Sequence, residues 1–451
     1  MKPLESYGFA PEPEKFCWAT GIEGSTIPQM GIDQYEWADH YRQFACDFDL
    51  ARYDLGVRWV RYPIPWYRVN PAPGKYEWGW TDQALGYAGA IGITPIVNLC
   101  HFGTAAWIDN GFGNPDFPRY LEEYAQAFTE RYRNLIRYYT PINEPLITAL
   151  FAGDVGWWPP CWTGMENYTK VLANVCEGIV RAYRSIKAAQ PDAVCVFADA
   201  TELHRTNNPD LQDLMNFRNT RRFLLNDLIT GRVDDEHPLR NWLREKRMPQ
   251  TSIEWLQANP IELDVLGLDY YRHTERQIYW RAGKAEQRIA YPIRGLYQVA
   301  QDYCQRYDCP VFITETNWCG AVQHRIDWLK YTVSEVRRLR EDGTPVVGFT
   351  WWPLFDHFDW EYAMTRAHGH IHPVGLFHLL PEGIHPDRRP RRLVSRHGSG
   401  QTLRRVSSAL AETYHSLIEN SDESVGFIGR TSGRQAQQMT PSKNVREYAK
   451  G

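Results

Sequence analysis

The sequence predicts an α/β protein folded as a single (β/α)₈ barrel. Eight short, mostly β-branched apolar segments follow one another along the 451 residues, and segments of helical periodicity separate several of them. Strands that alternate with helices form βαβ units with parallel strands, and eight such units favour a closed barrel. The chain is long for one domain, but barrels often fill this length. We therefore expect one barrel over residues 1–420, with its active site at the C-terminal ends of the strands.

The eight predicted strands are rich in valine, isoleucine and aromatic residues, as buried parallel strands are. The first and the fourth fit this pattern less cleanly than the others. The strands are predicted at residues 16–21, 57–62, 93–100, 138–143, 193–199, 263–271, 310–315 and 346–352.

Helices are predicted where apolar residues recur every three or four positions. One segment runs from Tyr35 to Leu55 before Gly56, a second begins at Asp116, and a third runs from Asn167 to Pro191. A last helix near residues 402–418 would complete the barrel. The polar stretch 421–451 contains too few apolar residues to pack, so we predict a mobile C-terminal tail.

Composition and charge exclude several classes of partner. The net charge of −4 gives no field that favours nucleic acid, and the arginine-rich run 386–396 is better explained as a solvated loop. No apolar run approaches 20 residues, so no membrane partner is predicted. An N-terminus without an apolar stretch and nine cysteines without CxxC spacing favour the cytoplasm. There is no glycine-rich nucleotide loop and no HExxH, so no cofactor and no metal are implied.

Two glutamates end strands that should otherwise be buried. Glu144 lies in TPINEP at the end of the fourth strand, and Glu315 lies in FITETN at the end of the seventh. A buried carboxylate requires a partner or a catalytic purpose. Two carboxylates across a barrel mouth suit glycoside hydrolysis, with retention at about 5–5.5 Å separation and inversion at about 6.5–9.5 Å. The sequence itself gives no distance.

Six segments, in order along the chain, resemble motifs of glycoside hydrolase family 1, the β-glucosidase family. The resemblance extends from about residue 16 to residue 377, and it implies a retaining, exo-acting β-glycosidase that uses no cofactor. The segments are VRYPIPWYRVNP (60–71), NLCHF (98–102), TPINEP (140–145), DYY (269–271), FITETN (312–317) and GFTWWPLFDHFDW (348–360).

The resemblance assigns roles around the scissile bond. Glu144 would be the acid/base, with a raised pKa, and Glu315 would be the nucleophile. Asn143 would bind the sugar 2-hydroxyl. Arg61 and Tyr271 would contact Glu315 and keep it ionised and correctly oriented.

Further residues are assigned to the sugar by the same resemblance. His101 would bind a hydroxyl, although taken alone it is better explained as a core histidine. Trp352 would form the floor under the glycone, with barrel packing as an equal alternative. Asp359 and Trp360 would reach the outer hydroxyls, and Glu23 is the one nearby candidate for a glutamine that binds them in the family.

The chain departs from the family pattern mainly at the far edge of the sugar. Asp269 replaces an asparagine, Thr316 follows the nucleophile in place of an asparagine, and Asp359 replaces a glutamate. Glucose is therefore not assumed as the glycone. The segment 357–369 lacks the serine and lysine typical of 6-phospho-glycosidases, so an unphosphorylated glycone is expected.

Two alternatives remain open at this point. One is an endo-acting β-glycanase of the same clan, and the other is an inactive carbohydrate-binding barrel. Four loop residues are explained equally well by an aglycone site or by packing, and the abundance of tryptophan and tyrosine is open in the same way. These loop residues are Asp154, Trp157, Trp158 and Trp318. The partner is expected to be a small carbohydrate or glycoside, and the oligomeric state is not indicated.

Overall fold

Eight parallel strands close into a barrel in the computed structural model, which describes residues 16–384, 391–392 and 403–421. Each strand overlaps one of the eight predicted segments, so the predicted fold class is confirmed. The strands, numbered β1–β8, are Cys17–Gly21, Trp59–Pro63, Thr94–Cys100, Tyr138–Ile142, Val194–Ala200, Val265–Asp269, Val311–Glu315 and Val346–Trp351.

Strand β1 closes the barrel because it pairs with both β8 and β2. All pairings in the ring are parallel, so the carboxyl ends of the strands meet at one mouth. An irregularity in β7 between Ile313 and Glu315 places Glu315 opposite Asp269, the last residue of β6. The register therefore fixes which side chains share the mouth.

The barrel interior differs between its two ends. Near the amino ends of the strands an apolar cluster fills it, including Tyr138, Phe312 and Val347. Towards the carboxyl ends the buried side chains are polar or charged, for example Arg61 and Glu315. The apolar end closes the barrel floor, and the polar end forms the site described below.

Helices surround the barrel and connect its strands. The principal helices are His40–Asp49, Gly79–Ala90, Phe117–Tyr132, Met165–Ala189, Gln250–Ala258, Leu296–Tyr307, Val322–Glu341 and Ala409–Glu419. Shorter helices are Gln34–Trp37, Trp66–Val69, Pro145–Ala149, Gln212–Arg221, Leu224–Ile229 and Arg240–Glu245. Within the described residues, no helix combines the length and apolarity that a membrane span requires.

Short antiparallel pairs of strands lie outside the barrel. Their strands are Thr26–Ile27 with Ile32–Asp33, Glu275–Arg281 with Lys284–Ile289, His357–Phe358 with Ile371–His372, and Phe377–Pro381 with Leu403–Ser407. Leu203–Arg205 adds a parallel strand to the second of these.

The predicted helices at Asp116 and Asn167 are confirmed as Phe117–Tyr132 and Met165–Ala189. Pro118 lies in the first turn of the former, where its missing N–H has no intrahelical partner to lose. The two helices pack against each other through apolar faces that include Leu121 and Val175. The apolar periodicity predicted both helices correctly because each helix buries one apolar face along its whole length.

Two helix predictions need correction. The segment 35–55 is interrupted, because Asp39 adopts a left-handed conformation (φ 58°) between Gln34–Trp37 and His40–Asp49. The last helix begins at Ala409 rather than near 402, because the preceding residues form the strand Leu403–Ser407. Most of the arginine-rich run 386–396 and all but the first residue of the tail 421–451 lie outside the described residues.

Candidate active site

Glu144 and Glu315 lie together at the barrel mouth. One carboxylate oxygen of each, and one of Asp269, lie within 4.8 Å of one another. Glu144 lies two residues beyond the end of β4, and Glu315 is the last residue of β7. The backbone of Glu144 is left-handed (φ 41°, ψ 63°) ahead of Pro145, an uncommon conformation that occurs most often at functional sites. The two glutamates predicted from strand ends therefore share one small volume.

The carboxylate of Glu315 is held by two donors. Nη1 of Arg61 lies 2.5 Å from Oε1, and the hydroxyl of Tyr271 donates to Oε2 at 2.6 Å. Burial and the neighbouring Glu315 charge raise the pKa of Tyr271 well above its usual range, so the phenol remains a donor. Both contacts fix the orientation of the Glu315 carboxylate, and Arg61 pairs it with a cation.

The environment of Glu144 is of the opposite kind. Burial, then the neighbouring Glu315 charge, raises the pKa of the Glu144 carboxyl well above its usual range. Arg61 opposes this effect only weakly, since its guanidinium is engaged with Glu315 and Asn143. One of the two close glutamates is thus set to hold a proton while the other is paired with a cation.

Asn143 presents a free donor to the same space. Nη2 of Arg61 donates to Oδ1 of Asn143 at 2.5 Å, which fixes the orientation of the amide. Nδ2 of Asn143 is buried and has no hydrogen-bond partner in the described part of the chain. A buried amide N–H₂ without a partner is a ready site for a ligand hydroxyl.

His101 is a buried histidine at the barrel mouth. The amide nitrogen of Asn98 lies 3.0 Å from Nδ1 of His101 and donates to it. Nδ1 therefore accepts, and Nε2 carries the ring hydrogen. Burial and the charge of Arg61 hold the pKa of His101 well below its usual range. Nε2 lies 3.8 Å from Oε1 of Glu23, beyond a direct hydrogen bond. This leaves the N–H available to a ligand.

Trp352 lies across the interior of the mouth, where its ring stacks on His101 at 5.5 Å between centroids. The Arg61 guanidinium lies 5.1 Å from the same ring. The indole also covers Gly21, where a β-carbon would lie 2.0 Å from the ring, so only glycine permits this position. Trp352 thus forms an apolar surface beside the two glutamates, as a sugar face requires.

Glu23 is a member of this site although its position was the least certain from the sequence. Its carboxylate accepts from the indole N–H groups of Trp352 (3.3 Å) and Trp360 (3.1 Å) and from Ser25. Burial is the main cause that raises the pKa of Glu23 to about 7. A carboxyl that titrates near neutrality therefore lies at the far end of the site.

Asp359 does not reach the site in the manner expected from the resemblance. Its two carboxylate oxygens accept the backbone N–H groups of His368, Gly369 and His370, each at 2.9 Å. The side chain therefore stabilises its own loop and leaves the outer hydroxyls to neighbouring groups. Trp360, the next residue, does line the site through its contact with Glu23.

Two further carboxyls belong to the site. Asp269 accepts from Thr314 at 2.6 Å through Oδ1, while its buried Oδ2 has no partner in the described structure. Burial, then Glu315, raises the pKa of Asp269 well above its usual range. Asp199 was missed, although it lies near the end of β5 and the reasoning applied to Glu144 would have selected it.

Asp199 positions the segment that follows Glu144. Its Oδ1 accepts the backbone N–H of Leu146 at 3.2 Å, in the first turn of the short helix Pro145–Ala149. Burial raises the pKa of Asp199 to about 8. Asp199 thus holds the backbone that carries Glu144 and adds a further buried carboxyl group to the barrel mouth.

The four loop residues left open by the sequence divide between packing and surface. Trp158 is buried against Phe102, and its indole donates to the carbonyl of Ala363 at 2.8 Å. Trp318 packs on Trp328. By contrast, Trp157 is exposed, as expected of a residue at an aglycone entrance, and Asp154 is partly exposed. Packing therefore explains the buried Trp158, whereas Trp318 is only partly buried.

Comparison with known families decides the classification. The family model for glycosyl hydrolase family 1 matches residues 29–281 and 273–375, which together make up more than half of the chain. The chain belongs to this family. As a family 1 protein it is a glycoside hydrolase, and its closed eight-stranded barrel is the family's TIM barrel.

The similarity to individual family 1 members is low but extends over most of the chain. A 1,4-beta-D-glucan glucohydrolase of Thermotoga neapolitana is 21% identical over 373 residues, covering 74% of this chain and 85% of the relative. A probable inactive beta-glucosidase 14 of Oryza sativa is 23% identical over 404 residues, covering 74% and 77%. The solved family 1 β-glucosidase of Thermotoga maritima aligns with a TM-score of 0.74 at 18% identity, over 90% of this chain and 99% of that one.

Proposed function

We propose that this family 1 enzyme is a retaining, exo-acting β-glycosidase that hydrolyses an unphosphorylated glycoside by double displacement. The observation that carries the proposal is the separation of the Glu144 and Glu315 carboxylates, whose closest oxygens lie within 4.8 Å. Retention requires a separation of about 5–5.5 Å, and inversion requires about 6.5–9.5 Å to admit a water molecule. The short separation supports direct attack by one carboxylate on the sugar.

The different surroundings of the two glutamates indicate which role each takes in the first step. Glu315, ionised beside Arg61 and Tyr271, attacks the anomeric carbon and forms a glycosyl ester. Glu144 donates its proton to the glycosidic oxygen as the bond to the aglycone breaks, and the aglycone leaves as a neutral alcohol. Burial and neighbouring negative charge keep this proton on Glu144 in the free enzyme, since both raise its pKa.

The second step reverses these roles. Glu144, now ionised, removes a proton from a water molecule that attacks the anomeric carbon of the ester. The bond to Glu315 breaks, the sugar is released with its original configuration, and Glu144 is again protonated. Reaction of Glu315 also removes its negative charge from the neighbourhood of Glu144, which lowers the pKa of Glu144 and favours its service as a base.

Two neutral donors are available to the sugar. Nδ2 of Asn143 has no protein partner and lies on the residue before the acid, so it suits the 2-hydroxyl. Nε2 of His101 suits a neighbouring hydroxyl. A hydrogen bond to the 2-hydroxyl strengthens as charge develops on the ring, so it contributes to catalysis as well as to binding.

The far end of the site supports exo action. Glu23 is tied to Trp352 and Trp360, and behind them lies an apolar cluster that includes Phe102, Trp158 and Met364. A wall at this end of the cleft would stop a longer chain from extending past the glycone, as exo action requires. The carboxyl of Glu23 is a poor partner for a phosphate, which supports an unphosphorylated glycone.

The test uses aryl β-glycosides with gluco, galacto, fuco, xylo and manno glycones. We expect Glu315→Ala and Glu144→Ala to lose at least about 10³-fold in kcat on the best substrate. Glu412→Gln, an exposed substitution on the last helix, serves as the matched control and retains full activity. Azide should convert Glu315→Ala to a producer of α-glycosyl azide, and Glu144→Ala to a producer of β-glycosyl azide.

Four other outcomes of these experiments would contradict the proposal. Full activity of Glu315→Ala would exclude this residue as the nucleophile. Inversion of configuration in the first product, seen by NMR, would exclude the double displacement. Binding of glycosides without turnover by the parent protein would favour the inactive carbohydrate-binding barrel, and release of internal oligosaccharides from a polymer would favour endo action.

A further inference from the structure

A group of histidines lies on the hairpin behind the far wall of the site. The strands His357–Phe358 and Ile371–His372 pair antiparallel, with His357 opposite His372. The loop between them passes through a short turn at Trp360–Tyr362 and returns through His370. His370 and His372 are two positions apart on extended backbone, so their side chains project on the same side.

Glu361 meets these two histidines. One ligand atom from each of Glu361, His370 and His372 lies within 4.8 Å of the others. Nδ1 of His370 is 3.0 Å from Oε2 of Glu361, yet the pair lacks the alignment of a hydrogen bond. Two atoms that can both bind a metal ion are therefore close together without a hydrogen bond between them.

A third imidazole, that of His357, packs beside His372 at 5.3 Å between ring centroids. It is buried, and its Nδ1 has no hydrogen-bond partner among the described residues. A buried polar nitrogen without a partner requires an explanation. The packing of His357 against His372 holds the His372 ring in place beside His370 and Glu361.

Two imidazoles and one carboxylate form the ligand set that proteins use for zinc. Four-coordinate zinc with bonds of about 2.1 Å places its ligand atoms about 3.4 Å apart. The observed atoms need only a small inward movement, which an exposed Glu361 side chain permits. A magnesium ion would instead prefer oxygen ligands throughout.

We propose that Glu361, His370 and His372 form a binding site for a zinc-class divalent transition metal ion. The site lies outside the catalytic pair and does not depend on the proposed mechanism. The ion joins the two ends of the loop that carries Trp360, whose indole donates to Glu23 in the active site. Its occupancy stabilises the loop and the wall of the sugar site together.

The site is tested by calorimetric titration of ZnCl₂ into full-length protein that has been stripped with a chelator. Exposed thiols are alkylated first, because Cys46, Cys161 and Cys319 are exposed and thiolates bind zinc. We expect one ion per chain, with no comparable binding of MgCl₂. His370→Ala/His372→Ala should weaken zinc binding by at least about 100-fold.

Two further variants keep the test decisive. Glu361→Gln removes only an exposed carboxylate charge, so it retains the fold and should still weaken zinc binding at least about tenfold. His415→Ala is the matched control, because His415 forms a surface pair with Glu419 at 3.2 Å elsewhere on the protein. It should bind zinc as the parent does.

Hydrogen exchange gives a readout that is independent of activity. Zinc should slow amide exchange over residues 359–372 in the parent protein and leave exchange unchanged in His370→Ala/His372→Ala. Absence of zinc binding at millimolar concentration would overturn the proposal. So would equal binding by the parent and by the double variant, or loss of binding in His415→Ala.

Discussion

Substitution of Glu23 by glutamine tests the electrostatics of the sugar site through protein stability. The substitution retains the shape of the side chain and removes its titration. Burial is the main cause that raises the pKa of Glu23 from 4.5 to about 7. The hydrogen bonds with Ser25 and Trp360 oppose that rise only in part. Glutamine can still accept from both indoles and from Ser25 through its amide oxygen, so the variant should fold.

The magnitude follows from linkage between protonation and folding. Folded Glu23 keeps a proton that the unfolded chain releases above its ordinary pKa of 4.5. The free energy of unfolding therefore falls as pH rises from 4.5 to about 7, and levels off above that pH. The difference between the two pKa values corresponds to about 3 kcal/mol. Glu23→Gln should escape this loss and be the more stable protein at pH 8 by about that amount.

The assay is urea unfolding of both proteins, followed by tryptophan fluorescence at intervals from pH 4 to pH 8. The measured quantity is the difference between their free energies of unfolding at each pH. Glu412→Gln on the last helix controls for loss of one surface carboxylate, and it should run parallel to the parent. If Glu23→Gln also ran parallel to the parent, Glu23 would not be a buried acid with a raised pKa, and the reasoning would be refuted.

Three shorter predictions concern the rest of the barrel. Asp269→Asn should retain kcat/KM within about threefold near pH 6, because burial and Glu315 raise the pKa of Asp269 and keep it neutral; a hundredfold loss in a pH–rate profile would contradict this. Gly103→Ala should lower the thermal midpoint of unfolding, since a β-carbon would lie 1.5 Å from the carbonyl oxygen of Thr26; an unchanged midpoint would be inconsistent with that contact. Asp227→Ala should cost about 1–3 kcal/mol in urea unfolding, because it leaves the buried His237 and Tyr307 without their acceptor while Arg306 regains water; an unchanged free energy of unfolding would show these hydrogen bonds to be dispensable.

The strands were predictable because each must be buried on both faces. Such a strand is visible in the sequence as a short, continuous apolar run. The catalytic candidates followed from the same logic, since Glu144 and Glu315 interrupt such runs at their ends. The missed residue Asp199 satisfies the same criterion. What prevented its selection was the absence of a family motif around it, not the absence of a physical signal.

The far edge of the sugar site was less predictable, because it depends on how a loop folds back on itself. The motif places Asp359 in line with residues that bind sugar, yet its oxygens accept three backbone amides from residues 368–370. Nothing in the sequence near Asp359 predicts that residues 368–370 fold back onto its side chain. Likewise, the contact of Glu23 with Trp352 and Trp360 joins residues more than 320 positions apart.

The difference between the two glutamates has one principal source. Both end barrel strands, both are buried, and each raises the electrostatic cost of ionising the other, so symmetry alone would not decide which one keeps a proton. Arg61, fully buried on β2, breaks this symmetry by placing Nη1 against Glu315 while Nη2 holds Asn143. Arg61 lies opposite Gly21 in the pairing of β2 with β1, and from there its guanidinium reaches Glu315. The proposed division of labour between nucleophile and acid therefore depends on a residue of β2, which neither glutamate motif contains.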